Sequence, residues 1–125
     1  MAAVQTAVAR RADGTSVVAC ERCLLADTAW LRLRGLLGRR SLEPGDGLWL
    51  APGNSIHMFF MRFAIDAVFV DRDGVVLDVV PGLRPWRMAM RRGAKAVLEV
   101  AAGEAERLGL APGDRVALSA RAADG

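Results

Sequence analysis

The chain has 125 residues, of which 53% are hydrophobic and 25% are charged, so it fits one folded domain over residues 1–125 and is not intrinsically disordered. No apolar run approaches the roughly 20 residues of a membrane-spanning helix, which argues against a membrane span. The 17 basic and 14 acidic residues give a net charge of +3, which by itself is too small to indicate nucleic-acid binding. Residues 1–15 lack the basic and apolar segments of a secretory signal, so we expect a cytoplasmic location.

The N-terminal part of the chain is predicted to form a β-hairpin over residues 4–20. Two short β-prone runs flank the dipeptide Asp13-Gly14, which is typical of hairpin turns.

A helix is predicted next, over residues 28–37. Asp27 is suited to cap its N-terminus, and Gly38 is placed to end it in a left-handed conformation. An apolar stripe recurs at helical spacing on Trp30, Leu33 and Leu37.

The rest of the chain is mostly β-prone. Further strands are predicted over residues 48–50, 56–60, 65–70, 75–80, 96–100 and 115–119. Asp71 to Gly74 is a hairpin turn, residues 81–93 form a basic loop, and residues 103–108 form a second, short helix. The tail over residues 120–125 is expected to fray.

These elements predict an α+β fold with about seven short strands and two helices. Helices rarely separate the predicted strands, so we do not expect an architecture built mainly from parallel βαβ units. We expect a small, antiparallel-rich, barrel-like sheet with the first helix packed on it.

The two cysteines, Cys20 and Cys23, form a CxxC motif. Such a pair serves as reduced structural thiols, as part of a metal site or as a redox dithiol. For a metal, the other soft ligand in the chain is His57, and a carboxylate or water would have to complete four-fold coordination. We favour structural thiols and keep metal binding through Cys20, Cys23 and His57 as the alternative.

The stretch IHMFFMRFAID, residues 56–66, places one histidine, one arginine and one aspartate among large apolar side chains. In a strand over residues 56–60 both faces are apolar, so we expect both to be covered. A buried His57 then needs a hydrogen-bond partner, either a backbone carbonyl or Asp66. Alternatively, His57 lines a pocket with Phe59, Arg62 and Asp66, since apolar floors with a few polar groups are typical of ligand sites.

Arg62 and Asp66 are expected to interact, because a carboxylate in an apolar strand needs a partner. The pair either fixes a corner of the chain or binds a ligand. In the basic loop, Trp86 and Arg87 are suited to stacking on a planar ligand, whereas a structural Trp86 would fold back to cover the open end of the barrel.

Three blocks of the sequence together resemble a known family. They are LRLRGLLGRRSLEPGDGLWL, SIHMFFMRFAIDAVFVDRDGVVLDVV and LEVAAGEAERLGLAPGDRVAL. In order and spacing they are similar to the domain-of-unknown-function 192 family over roughly residues 24–119. The resemblance implies a compact, β-rich single domain and carries no established activity.

These patterns favour an accessory module that binds a small molecule or a protein without catalysis. The candidate ligand-binding residues are His57, Phe59, Arg62, Asp66, Trp86 and Arg87. We identify no catalytic residues and expect no cofactor, so an enzyme is the less favoured reading. The alternatives are a metal-dependent enzyme or metal binder using the cysteines and His57, and a nucleic-acid binder using the arginines, which we consider the weaker partner class.

Overall fold

A computed structural model describes residues 3–26, 28, 36 and 38–120. This part of the chain contains nine strands and one short helix. The strands are β1 Val4–Arg10, β2 Ser16–Ala26, β3 Asp46–Leu50, β4 Ser55–His57, β5 Ile65–Val70, β6 Val76–Leu83, β7 Met88–Met90, β8 Ala96–Ala101 and β9 Arg115–Ala120, and helix α1 is Glu104–Leu108. The helix predicted over residues 28–37, with Asp27 and Trp30, lies almost entirely outside the described residues.

Seven strands form one mixed sheet in the order β6-β5-β8-β3-β2-β1-β9. All neighbours in it are antiparallel except β2 and β3, which run parallel. A parallel pair needs a crossover connection rather than a tight turn, and residues 27–45 supply it. β4 and β7 pair with each other and form a separate two-stranded ribbon.

The sheet is open, so the predicted barrel is not confirmed. Its edge strands, β6 and β9, meet beside the Asp71–Gly74 turn at an isolated bridge between Val75 and Arg115. Around this bridge the Val116 N–H donates to the Gly74 carbonyl at 2.8 Å. The edges therefore touch at one corner without forming a continuous ladder.

The central strands β5 and β8 are buried along their whole length and divide the apolar interior into two clusters. Side chains alternate along a strand, so Val68 and Val70 of β5 belong to the first cluster, whereas Ile65 and Phe69 belong to the second. Helix α1 contributes Ala105 and Leu108 to the first cluster. The ribbon covers the other side, where Ile56 and Met58 join the second cluster.

The predicted strand over residues 65–70 is confirmed. The strands predicted over residues 96–100 and 115–119 are also present, and each is one residue longer at its C-terminal end. Two predictions are wrong. The strand predicted over residues 56–60 ends at His57, and the predicted loop 81–93 contains the last three residues of β6 and the three-residue strand β7. The strands of the ribbon, β4 and β7, are too short to produce a clear alternating pattern.

Candidate functional site

The β4–β7 ribbon has one buried and one exposed face. Ile56 lies opposite Ala89, and both pack inward. The neighbouring pairs, Ser55 with Met90 and His57 with Met88, point the other way and are exposed. The ribbon therefore presents an outer face that carries a histidine and two methionines.

Backbone hydrogen bonds of Met58 fix the loop that carries Trp86. The Met58 N–H donates to the Arg87 carbonyl at 2.7 Å, and the Met58 carbonyl accepts from the Trp86 N–H at 2.7 Å. The Met58 side chain is buried in the second cluster. Consequently the loop is anchored to a residue of the core.

Three aromatic residues extend the outer face beyond the ribbon. The ring of Phe59 lies 4.8 Å from His57 and 6.0 Å from Trp86, measured between centroids, and it is stacked on the indole. Phe60 lies 4.9 Å from Trp86 on a tilted plane. These contacts join His57, Phe59, Phe60 and Trp86 into one continuous aromatic group.

Phe60 and Trp86 hold an unfavourable backbone conformation, with φ angles of 65° and 69°. Large side chains rarely adopt this left-handed region, and each such residue costs about 1–3 kcal/mol. Strained residues of this kind persist where the surrounding structure fixes them, and they concentrate at functional sites.

We refer to His57, Phe59, Phe60, Trp86, Met88 and Met90 as the aromatic–methionine surface. Phe60, Met88, Met90 and Trp86 are 72%, 66%, 64% and 59% exposed. A contiguous apolar patch of this kind is unusual on a monomeric protein and typically marks an interaction site. Aromatic residues, methionine and arginine are also the residue types enriched at protein interfaces.

Positive charge is concentrated in the segments that build this surface. Segments 55–64 and 82–95 together contain six arginine or lysine residues and no aspartate or glutamate. Arg91 is paired with Asp78, with Nε 2.6 Å from Oδ2, and this hydrogen bond lowers the pKa of the Asp78 carboxyl. The remaining five cations, Arg62, Arg84, Arg87, Arg92 and Lys95, are exposed.

The structure brings together His57, Phe59 and Trp86 as one aromatic group, with Arg87 beside Trp86 in the chain. The expectation that both faces of this segment are covered is wrong, because His57 is exposed on the outer face of the ribbon. Its Nδ1 accepts a long hydrogen bond of 3.4 Å from the Phe59 N–H.

Asp66 lies elsewhere, and its predicted ion pair with Arg62 is not formed. The buried carboxylate accepts three backbone hydrogen bonds, from the N–H groups of Gly82, Gly103 and Ala105 at 2.8–3.0 Å. Arg62 is exposed, four residues earlier. Alternation along β5 explains the difference, since Asp66 shares a side with the first cluster and α1, and the ribbon covers the opposite side.

Sequence reasoning did not select Phe60, Met88 or Met90 as site residues. The signal for the methionines is the MAM alternation after Trp86, in which the small alanine faces inward. No sequence pattern indicated that Phe60 is exposed, because its exposure depends on where β4 ends.

Cys20 and Cys23 lie in β2 and are buried, free thiols. Between them, Glu21 and Arg22 oppose the single residue Thr6 of β1, which is a β-bulge. The extra residue turns both thiols to the same side, where they share a hydrogen bond that lowers the pKa of Cys20 and, with burial, raises that of Cys23.

The alternative metal site is not assembled in this structure. His57 lies on the exposed ribbon, whereas the cysteines lie in the first apolar cluster. Among the residues for which positions are described, no three histidine, cysteine, aspartate or glutamate side chains are grouped to hold a metal ion.

Glu99 is a buried carboxyl group that the sequence analysis did not single out. It lies in β8 between Leu48 of β3 and Ala67 of β5. Burial raises the pKa of Glu99 to about 7.

Two of the cavities in this structure are lined by described residues other than the candidate ligand-binding residues. One, of about 440 Å³, lies between Trp49, Lys95 and Val116 at the corner where the sheet edges meet, and the other, of about 160 Å³, lies between Gly45 and Arg107. The aromatic–methionine surface lies outside both cavities. In the described part of the chain no helix is long and apolar enough to cross a membrane.

Comparison with known proteins identifies relatives of this chain. Residues 8–118 match the DUF192 family, described as "Uncharacterized ACR". A UPF0127 protein of Thermococcus sibiricus is 35% identical over 104 residues, which cover 76% of this chain and 64% of the relative. A UPF0127 protein of Pyrococcus abyssi is 41% identical over 63 residues, which cover 50% of this chain and 53% of the relative. The chain thus spans about half to two-thirds of these relatives.

Two crystal structures are similar over nearly the whole chain. A Sinorhizobium meliloti protein, provisionally described as a transcription regulator, superposes with a TM-score of 0.85 at 26% identity, covering 94% of this chain and 95% of that protein. A Novosphingobium aromaticivorans protein of unknown function superposes with a TM-score of 0.80 at 27% identity, covering 91% and 84%.

Proposed function

The chain belongs to the uncharacterised DUF192 family, and on that premise we propose that it is a binding module whose aromatic–methionine surface docks a partner protein. The observation that carries this proposal is the exposure of Phe60 and Trp86 in a strained backbone conformation on a face with two exposed methionines.

Physical chemistry supports an interaction role for this surface. Exposing Phe60, Trp86, Met88 and Met90 to water forgoes the stabilisation of about 25 cal/mol per Å² that burial of apolar area supplies. Left-handed backbone adds strain at two of these residues. These features lower the stability of the free protein. A partner that covers the surface would bury its apolar area and offset this loss.

A protein fits this surface better than a small molecule does. Small ligands bind in concave pockets that bury most of their area. Here the rings of Phe60 and Trp86 are 72% and 59% exposed beside the outer face of the ribbon, so they are not buried in a pocket. We propose that His57, Phe59 and Trp86 contact the partner directly and that Arg62 and Arg87 contact its rim.

Asp66 has an indirect part in this proposal. Its carboxylate accepts a hydrogen bond from the N–H of Gly82, near the end of β6, the strand that leads to Trp86. Asp66 therefore positions the surface from within the fold and does not touch the partner.

Nucleic acid is a second candidate partner. The similar Sinorhizobium protein is provisionally described as a transcription regulator, and exposed arginines beside aromatic rings suit single-stranded nucleic acid. The outward methionines favour protein instead, since they offer neither a planar face nor a hydrogen-bond donor. Two buried free thiols, Cys20 and Cys23, support a reducing, cytoplasmic location, which we include in the proposal.

Photo-cross-linking in the source organism tests the proposal. The probe is p-benzoylphenylalanine, incorporated at Phe60 of the full chain, and the control carries it at Val18, an exposed apolar residue of β2. We expect a protein adduct from position 60 that position 18 does not give. Equal adducts from both positions, or an adduct from neither, contradict the proposal.

A further inference from the structure

Resting on the proposed function, we infer the chemistry of the partner: it is a different protein, and its contact surface carries aspartate and glutamate around an apolar centre. The inference uses the distribution of charge around the aromatic–methionine surface.

Charge is distributed unevenly along the chain. Segments 55–64 and 82–95 carry six of the 17 basic residues and none of the 14 acidic ones. The rest of the chain therefore has 11 basic and 14 acidic residues, a net charge of −3. The positive charge of the protein is thus concentrated in the segments that build this surface.

One member of this set, Arg91, is already neutralised within the fold. Arg91 bonds to Asp78 and lies 5.5 Å above the ring of Phe69, so the fold itself uses this guanidinium. Arg62, Arg84 and Arg87 flank Phe60 and Trp86 in sequence and are exposed. Among the described residues no ion pair engages these three.

Charge complementarity selects an acidic partner. Guanidinium groups at the rim of an interface attract carboxylates, which increases the association rate and fixes orientation. A partner with a basic rim would place like charges opposite these three arginines, and a neutral rim would give none of this electrostatic attraction.

The same charges argue against a symmetric dimer through this surface. A two-fold axis places identical patches against each other. Here it would bring the arginine-rich rims of two copies together, and like charges across an interface are unfavourable. The surface is apolar enough to associate but is not self-complementary.

The test measures how cross-linking depends on these arginines. p-Benzoylphenylalanine at Phe60 is combined with Arg84→Glu and Arg87→Glu. The matched control combines it with Arg10→Glu and Arg115→Glu, which change the net charge equally at exposed, paired positions of β1 and β9. Urea denaturation of each purified variant establishes that it is folded, and Arg84→Gln with Arg87→Gln is the milder variant if the reversal unfolds the chain.

We expect the adduct to fall by about tenfold when Arg84 and Arg87 are reversed and to be retained in the control. Mass spectrometry of the adduct should place the cross-link in a partner segment with more acidic than basic residues. The inference is wrong if the adduct persists in the folded reversal variant, or if the cross-linked segment is neutral or basic. A second copy of this chain, a nucleic acid or a lipid as the adduct also overturns it. Equal adducts from Phe60 and Val18, by contrast, reject the underlying proposal of a binding surface.

Discussion

The rings of Phe60 and Trp86 contact each other with centroids 4.9 Å apart, although both residues hold left-handed backbone that large side chains rarely adopt. Two strained residues from separate turns thus form one exposed pair. The hydrogen bonds of the Met58 backbone to residues 86 and 87 keep the second turn in place beside the first.

The strain at Phe60 predicts an unusual order of stability. Phe60→Asn should be more stable than Phe60→Val by about 1 kcal/mol, because asparagine tolerates the left-handed region and β-branched valine does not. Urea denaturation measures the difference. At Leu77, an exposed residue of β6 in ordinary strand backbone, the same two substitutions should give the opposite order. If valine is the more stable at both positions, residue 60 is not strained.

The Asp66 carboxylate predicts a large loss of stability on substitution. Asp66→Asn removes the charge and one acceptor oxygen, so the N–H groups of Gly82, Gly103 and Ala105 cannot all be satisfied. We expect the free energy of unfolding to fall by about 3 kcal/mol. Hydrogen exchange should show faster exchange at those three amides.

A matched control for this prediction is Asp71→Asn. The Asp71 carboxylate also accepts two backbone hydrogen bonds, from Asp73 and Val75, but at a half-exposed turn where water can replace it. Its loss should be smaller than that of Asp66→Asn. Equal losses would mean that burial of Asp66 is not what makes its bonds important.

The raised pKa of Glu99 predicts that stability depends on pH. The pKa is about 7 in the folded state and near 4.5 in the unfolded state, so the folded state binds the proton more tightly between these values. The free energy of unfolding therefore falls as the pH rises from 4.5 to 7, by about 3 kcal/mol from this group.

Comparison with Glu99→Gln isolates this effect. The difference between wild type and variant in urea denaturation should change across that pH window and level off above it. The raised pKa of Glu99 is contradicted if the free energies of unfolding of wild type and Glu99→Gln change with pH in the same way.

The close approach of the sheet edges predicts that replacing Gly74 lowers stability more than replacing a glycine in open space. A Cβ atom there would lie 2.3 Å from the Val116 carbonyl oxygen, at a φ of 85°. Gly74→Ala should lower the free energy of unfolding by about 2–4 kcal/mol, since strain and a steric clash add. Gly14 has a similar φ of 88° and open space around it, so Gly14→Ala should cost only about 1 kcal/mol. Thermal or urea denaturation that shows equal costs would mean that the edge contact contributes nothing.

Most strands of the large sheet could be predicted from the sequence. Runs of β-branched and apolar residues predicted β5, β8 and β9, because long buried strands have a strong local signature. The family was also recognisable from blocks in register over most of the chain. Closure of the sheet was not accessible, because whether β6 and β9 form a ladder depends on the accumulated twist of all seven strands.

The candidate site was predicted in part. His57, Phe59 and Trp86 were singled out as residue types suited to binding, and the fold places them together. The predicted Arg62–Asp66 pair failed because a carboxylate can be satisfied by backbone N–H groups that are distant in sequence. No local pattern specifies those partners.

The sequence by itself determined most of the long strands and which residue types are available for binding, since strand propensity and residue chemistry are local properties. Tertiary structure decided that the IHMFF segment turns its rings to water, that two loops meet at Phe60 and Trp86, and that Asp66 caps backbone on the opposite side of the sheet. Those outcomes depend on contacts between residues far apart in the chain, where small differences in strand ends and register reverse the side to which a residue points.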